Sequence, residues 1–229
     1  MNATMKFLLT LCSVIVLSAC GNAPQGEQAA TGDAVESNME VSATAIAYNV
    51  DTEASVVNWV GSKPTGAQHT GVIKLNGGEL FVEDGTITGG TFGLDMNSIA
   101  VLDDMKPEML AKLEGHLKTG DFFEVEKFPT GSFEITNVAA LEGDTTATHS
   151  ITGNLTLKGI TKSITIPATV NLSESVMTAM SPVFTINRTE WDVMYNSGVI
   201  GTVKDKLIND DVALQIKLSA SPQQAEATN

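Results

Sequence analysis

Hydrophobic and polar residues alternate along most of the chain after residue 45. In Ser55–Gly61, Val57 and Trp59 share one face of an extended chain, while Val56 and Val60 share the other. This period of two is typical of strands that bury one face. The same pattern predicts strands at Gly71–Leu75, Glu79–Val82, Gly90–Met96, Ser132–Val138, Ile151–Leu157, Lys162–Val170, Pro182–Asn187 and Asp211–Leu218.

Short turn-forming sequences separate most of these strands. They occur at Asn76–Gly78, Asp84–Gly85, Glu142–Asp144 and Lys158–Gly159. Glycine, asparagine and aspartate favour tight turns because they tolerate left-handed backbone conformations. Many short alternating strands joined in this way predict an all-β fold, either an antiparallel barrel or a sandwich.

One segment has helical spacing instead. Pro107 near its start and Gly115 and Gly120 near its end are typical helix boundaries. We expect its apolar stripe to pack on the core, with ligand contact by the two methionines as the alternative. The stripe consists of Met105, Met109, Leu110, Leu113 and Leu117.

The first twenty residues resemble a bacterial lipoprotein signal. Lys6 precedes a short apolar run, and Leu17–Cys20 resembles the lipobox, whose cysteine is lipidated before cleavage. The run is too short to span a membrane. We therefore predict a signal peptide over residues 1–19 and lipidation of Cys20, the alternative being an ordinary soluble signal. Cys12 leaves with the signal, so no disulfide is expected in the mature chain.

The remaining chain divides into three parts by composition. Residues 20–45 are small and polar without apolar periodicity, which predicts a flexible tether with a reach of roughly 25–30 Å. Residues 46–220 contain the alternating strands and are long enough for one domain with its own core. Residues 221–229 are predicted to be a disordered tail.

Charge limits the partners that this chain can bind. The net charge of −14 makes nucleic acid and anionic lipid surfaces poor partners. Membrane association should then depend on acyl chains attached to Cys20, with the protein in the bacterial cell envelope, facing the periplasm or exposed at the surface. Gly21, in place of the aspartate that retains some lipoproteins at the inner membrane, favours the outer membrane.

The sequence offers no recognisable catalytic or metal-binding set. His69, His116 and His149 do not have metal-ligand spacing, and His116 is also suited to capping a helix end. The Asp103–Asp104 and Asp210–Asp211 pairs lack the EF-hand pattern, so we expect solvated turns. Nucleophile-elbow, phosphate-loop and zinc-helix motifs are missing from the sequence. No catalytic residue and no metal are predicted.

Arg188 lies at the end of a predicted strand. We expect a buried structural ion pair with Asp51, Asp192 or Asp211, and the alternative is contact with a ligand head group. Trp191 follows in an irregular connection and is expected to be partly exposed.

Four sequence strings together resemble the YceI-like family of lipocalin-like periplasmic proteins that bind polyisoprenoids. The resemblance runs from about Tyr48 to Ala220. The second and third strings are specific as a pair and occur in the expected order. The strings are Asp51 with Ser55–Trp59, His116–Phe123 followed by Lys127–Pro129, Gly153–Lys162 and Ile186–Thr189.

The resemblance implies an eight-stranded antiparallel barrel with one short helix, whose interior holds a long isoprenoid tail. Lys63 stands where members often carry a histidine, and His69 is the nearest histidine. With Arg188 they are the candidates for head-group contacts. The candidate interior residues, which alternatively only pack the core, are Trp59, Phe92, Phe133, Leu155, Leu157, Ile164, Ile166, Phe184 and Ile186.

Three hypotheses about function follow. The first is a carrier for an isoprenoid lipid or another long-chain amphiphile. The second is an enzyme acting on such a lipid, which would need an acid–base or nucleophilic set that the sequence does not display. The third is an envelope scaffold with a barrel filled by its own side chains. We predict the carrier, with no cofactor, no nucleic acid partner, and an isoprenoid lipid or quinone as the candidate bound molecule. The sequence gives no indication of oligomeric state.

Overall fold

The computed structural model describes residues 25–37 and 41–223, so the predicted signal peptide, Cys20 and residues 224–229 lie outside the described residues. The described residues contain one α-helix, α1, which spans Pro107–Leu117. Short 3-10 turns occupy Met96–Ser98, Arg188–Trp191 and Gly198–Ile200. The strands are β1 Glu27–Gln28, β2 Ala30–Asp33, β3 Ile46–Val50, β4 Val56–Ser62, β5 Gln68–Glu83, β6 Thr86–Asp95, β7 Ala100–Val101, β8 Thr130–Ala140, β9 His149–Leu157, β10 Ile160–Leu172, β11 Met177–Met180, β12 Phe184–Asn187 and β13 Asp211–Pro222.

Eight of these strands form a closed antiparallel ring. The ring runs β4, β5, β6, β8, β9, β10, β11 and β13, and β13 pairs back with β4. Closure satisfies the backbone hydrogen bonds that an open sheet leaves at its edges. The predicted eight-stranded barrel with one short helix is confirmed.

Two of the predicted turns are tight hairpins. Asp84 and Gly85 between β5 and β6 have φ of 49° and 80°, and Lys158 and Gly159 between β9 and β10 have φ of 52° and 74°. Two successive left-handed residues give the turn twist that matches antiparallel strands. The turns predicted at these positions are confirmed.

The turn predicted at Asn76–Gly78 is wrong, because β5 continues through it as one strand of 16 residues. The register against β6 shifts between Leu75 and Gly77, so Asn76 is bulged. Gly78 has φ of 154°, and a Cβ there would lie 2.6 Å from the Phe92 Cα. The glycines therefore allow a bulge and a close approach of two strands. A sequence of asparagine and glycine is equally typical of a turn, which is why the turn was predicted.

The predicted tether is ordered where it was expected to be flexible. Glu27–Gln28 of β1 pairs in parallel with β12, and Ala30–Asp33 of β2 pairs with the Lys162–Thr165 half of β10. The Thr169–Leu172 half of β10 instead pairs with β11. The two N-terminal strands thus fill the gap that opens between β10 and β12 where β11 ends. The flexible-tether prediction is wrong for Glu27–Asp33.

The folded domain also extends further toward the C-terminus than predicted. Strand β13 extends to Pro222, and the Gln223 backbone N–H donates to the Ala47 carbonyl at 2.7 Å. The predicted tail is therefore paired with β3 at residues 221–223. Backbone pairing orders these polar residues although they carry no apolar pattern.

The helix is confirmed, but its stripe is less buried than expected. No residue of α1 is fully buried, and Met109 is 49% exposed. Leu117 is the residue of the stripe that packs against the core cluster. The core-packing prediction therefore holds for Leu117 and is wrong for Met109. The Glu114 carboxylate accepts from the Val101 N–H at 2.8 Å and ties α1 to β7.

Candidate functional site

An apolar cavity of about 140 Å³ occupies one half of the barrel. We call the barrel end beside it the mouth end. This end carries the β4–β5 hairpin, α1 and the 188–210 connection. The Asn209 N–H donates to the Ser62 carbonyl at 2.9 Å, and the His116 and Tyr195 rings lie 4.9 Å apart, which holds these three parts together. Arg188 is the one charged residue among the described residues that line the cavity.

The structure brings together eight of the nine predicted interior residues in this lining, and Ile166 lines a smaller cavity of about 40 Å³ deeper in the barrel. That any of them binds a ligand stays a prediction. Strand alternation did not indicate the lining residues that lie outside the strands. Three of these, Leu117, Phe122 and Phe123, belong to the His116–Phe123 string that carried the family resemblance.

The two cavities meet at a pair of phenylalanines. Phe92 of β6 pairs directly with Phe133 of β8, and their ring centroids are 5.4 Å apart. Both residues, with Ile216 of β13, line the main cavity and the smaller one. The Phe133 ring lies against Gly153, where a Cβ would be 2.4 Å from its Cζ.

The two tryptophans both line the main cavity and differ in their polar contacts. Trp191 is 0% exposed and donates through Nε1 to the Leu155 carbonyl at 3.0 Å. The expectation that Trp191 is partly exposed is wrong, because the 3-10 turn directs its ring into the barrel. The Trp59 Nε1 is buried and has no hydrogen-bond partner among the described residues.

Arg188 is buried and holds the connection to β13 in place. Its guanidinium donates to the Val193 carbonyl at 2.6 Å, and to the Asn209 and Ile208 carbonyls at 3.1 and 3.3 Å. Its ion pair is with Asp210 at 3.2 Å. Burial lowers the pKa of Arg188 below its ordinary value, and Asp210 opposes that shift.

The predicted ion pair is therefore present, but none of the predicted partners forms it. Asp51 accepts from the Glu53 and Ala54 backbone N–H groups, and Asp192 contacts Lys158. Burial raises the pKa of Asp211, and the neighbouring Asp210 charge adds to the shift. Because Asp210 pairs with Arg188, it is also not the solvated turn residue that we expected.

His69 and Asp103 form a second polar contact at the mouth end. The His69 Nδ1 and Asp103 Oδ2 are 2.6 Å apart, and Thr70 donates to Asp103 through its backbone N–H at 2.8 Å. Partial burial raises the pKa of Asp103, but the hydrogen bonds from His69 and Thr70 together hold it below its ordinary value. The solvated-turn prediction is wrong for Asp103 too.

The three candidate head-group residues lie at the same barrel end with different surroundings. Arg188 and His69 have the partners just described. Lys63 is half-buried in the β4–β5 hairpin, and its ammonium has no partner within the described part of the chain. Lys63 is thus the candidate with its donors available.

The remaining sequence candidates have structural surroundings. His116 does not use its ring to cap the helix, since Nε2 lies 2.8 Å from the Asp121 carboxylate. Residues 25–37 and 41–223 contain no group of three or more metal-ligating side chains. Within the same ranges, no helix has the length and apolar character needed to cross a membrane.

The closed ring and its apolar cavity define a lipocalin-like β-barrel. A sequence model of the YceI-like domain matches residues 48–220, and the chain belongs to that family.

Curated relatives match parts of the chain. A UPF0312 protein of Pseudomonas aeruginosa is 52% identical over 58 residues, which cover 25% of this chain and 28% of the relative. A UPF0312 protein of Pseudomonas putida is 32% identical over 136 residues, covering 56% of this chain and 64% of the relative. The matched region therefore spans less than two thirds of these relatives.

Two solved structures share the fold. Burkholderia cenocepacia BcnA superimposes with a TM-score of 0.58 at 21% identity, covering 74% of this chain and 98% of that chain. A Saccharophagus degradans domain described as polyisoprenoid-binding gives a TM-score of 0.55 at 15% identity, covering 78% and 99%. At these identities the likeness is one of fold.

Proposed function

We propose that this barrel binds a single isoprenoid or similar long-chain amphiphilic lipid in its interior. The observation that carries the proposal is the apolar cavity beside the mouth end, with Arg188 as its one charged lining residue among those described. Burying an apolar chain there contributes roughly 25 cal/mol per Å² and needs no catalytic group. The polyisoprenoid-binding description of the S. degradans neighbour supports the same ligand class.

The cavity volume limits how much ligand fits without rearrangement. A cavity of about 140 Å³ resembles engineered cavities of about 150 Å³ that hold one benzene. Typical ligand pockets measure roughly 300–1,000 Å³. One isoprene unit can therefore enter directly, and a longer tail requires side chains to move.

The same small volume favours a second candidate, an envelope scaffold whose barrel is filled by its own side chains. In that case the cavity is a packing defect, and its lining residues contribute stability only. The two candidates differ in whether a lipid occupies the barrel.

We place the polar head group of the ligand at the mouth end beside Lys63. Its ammonium is available, whereas Arg188 already donates to three carbonyls and Asp210. We therefore assign Arg188 a structural role. His69 is a second candidate, 45% exposed and paired with Asp103.

We further propose that Cys20 is lipidated and anchors the barrel to a membrane. Glu27, where β1 begins, follows Cys20 by seven residues. Seven residues span at most roughly 25 Å. The anchor would thus hold the β10–β12 side of the barrel close to the membrane surface, because β1 and β2 pair there.

Lipid extraction from protein purified from its native host tests the ligand. Native mass spectrometry before extraction should show one bound lipid per chain, and the extract should contain an isoprenoid. Protein that carries no lipid and takes up none when mixed with farnesol would favour the scaffold. A Lys63→Met variant tests the head-group contact. It should weaken binding of an isoprenoid that carries a polar head group more than binding of the same isoprenoid chain without one.

A further inference from the structure

The barrel interior has two apolar compartments separated by one layer of side chains. Leu94 and Leu155 line only the main cavity, and Ile135 and Ile151 line only the smaller one. Phe92 and Phe133 line both, so this pair, which we call the partition, lies between the compartments. Ile216 reaches the same layer from the opposite wall.

The partition has properties that suit a movable divider. The two rings lie against each other at a tilt of 35°, and a phenylalanine side chain has no hydrogen-bonding group. Their displacement would therefore break no side-chain hydrogen bond. Phe133 lies along the wall over Gly153, a position that exists only because Gly153 has no side chain. If side chains filled the space on both sides of the pair, the two rings would only pack the hydrophobic core. Cavities lie on both sides instead.

We propose that the Phe92–Phe133 partition sets the length of apolar chain that the barrel accepts. A short chain occupies the main cavity, with small shifts of the other lining side chains, and stops at the rings. A longer chain displaces them and continues into the compartment lined by Ile135, Ile151 and Ile166. This inference rests on the proposed lipid binding and adds the residues that discriminate between chain lengths.

Methyl NMR on the unmodified full-length protein tests the partition directly. Geraniol and geranylgeraniol, with two and four isoprene units, are the probes. Geraniol should shift the methyl signals of Ile164 and Ile186, which line the main cavity alone. Geranylgeraniol should also shift those of Ile135 and Ile151 beyond the partition.

A matched pair of substitutions gives a second measurement. Phe133→Leu shortens a partition residue, whereas Phe184→Leu makes the same change at a buried residue that lines only the main cavity. Phe133→Leu should raise the affinity for geranylgeraniol relative to geraniol by about tenfold, the effect of burying roughly two further CH₂ groups. Phe184→Leu should leave that ratio within about twofold.

The outcomes separate this inference from the proposed function. If neither alcohol shifts any methyl signal, lipid binding itself is wrong and the partition inference fails with it. If both bind but geraniol shifts Ile135 and Ile151 as much as Ile164, lipid binding stands and the partition is overturned. Equal changes of the affinity ratio in both variants would also overturn it. The NMR measurement needs no substitution, so it decides the question even where a variant does not fold.

Discussion

At the residue scale, Arg188 is the charge whose removal should be most damaging. We expect Arg188→Met to lower the free energy of unfolding by about 3–5 kcal/mol, because it leaves Asp210 and three backbone carbonyls without their buried donor. Urea denaturation measures the loss. Lys127→Met is the control, since its pair with Glu124 is exposed, with a 3.9 Å separation, and should cost less than about 1 kcal/mol. Equal losses in the two variants would contradict the structural role of Arg188.

Asp211 should make stability depend on pH with the opposite sign from Asp103. Its pKa is raised in the fold, so it contributes stability below its ordinary value of 3.8, which is lost as pH rises through the folded pKa. Asp103, with its lowered pKa, contributes stability above 3.8 instead. We expect Asp211→Asn to gain up to about 0.5 kcal/mol over the wild type at neutral pH. Thermal denaturation should show that this gain shrinks as the pH falls to about 4; a gain independent of pH would be inconsistent with the shift.

Residues on regular strands could be placed from the sequence, and residues in irregular connections could not. Alternation puts Val57 and Trp59 on one face of β4, because side chains of a strand must alternate, and the family resemblance implied that this face is the inner one. Trp191 and the Asp210 partner of Arg188 lie in or beside turns, where no period relates sequence position to direction. Their placement depends on tertiary contacts such as the Trp191 bond to the Leu155 carbonyl.

At the element scale, the N-terminal strands should contribute to stability. A chain that begins at Gln25 keeps β1 and β2, whereas one that begins at Ile46 leaves the backbone edges of β10 and β12 unpaired. We expect the shorter chain to melt at least about 4 °C lower, since each kcal/mol shifts Tm by about 2–4 °C at this size. Its exposed edges should also favour self-association. Circular dichroism melting and size-exclusion chromatography measure these effects; identical melting of two monomers would show that the segment is dispensable.

These strands were not predictable from the hydrophobic pattern. Ala30–Asp33 has no apolar alternation. Its pairing with β10 depends on backbone hydrogen bonds, for which every residue has a carbonyl acceptor and every residue except proline has an N–H donor. The bulge at Asn76 was not predictable either, because the glycines that follow it fit a turn as well as a bulge. A long alternating segment such as β8 was predictable, since both its pattern and its burial have a period of two.

At the scale of the whole molecule, we expect membrane association to depend on lipidation of one group, the Cys20 thiol. We expect Cys20→Ala protein to remain unprocessed or poorly exported and to stop partitioning into detergent. The net charge of −14 gives little attraction to anionic lipid, so no other feature of the charge distribution replaces the anchor. Phase partitioning and membrane fractionation at high salt measure the change. A variant that stays with membranes at high salt would disprove anchoring through Cys20.

The state of the barrel interior decides between carrier and scaffold, and a buried charge can distinguish them. Leu157→Glu introduces a carboxylate at a half-buried position in the lining of the main cavity, whereas Leu172→Glu makes the same change at a residue that is 37% exposed. A charge in an apolar site costs several kcal/mol unless it becomes neutral or reaches water. In a carrier, Leu157→Glu should abolish farnesol binding while the far-ultraviolet circular dichroism stays native, because the cavity leaves room for the new side chain.

Intrinsic fluorescence reports the same binding event, since Trp59 and Trp191 both line the cavity. Farnesol should change the emission of the wild type and of Leu172→Glu and leave that of Leu157→Glu unchanged. A Trp59→Phe background then shows how much of the signal comes from Trp191, whose indole N–H bonds to the Leu155 carbonyl beside the substituted strand end. In a scaffold filled by its own side chains, Leu157→Glu should unfold the domain and farnesol should leave the wild-type emission unchanged. That pair of results would exclude the carrier.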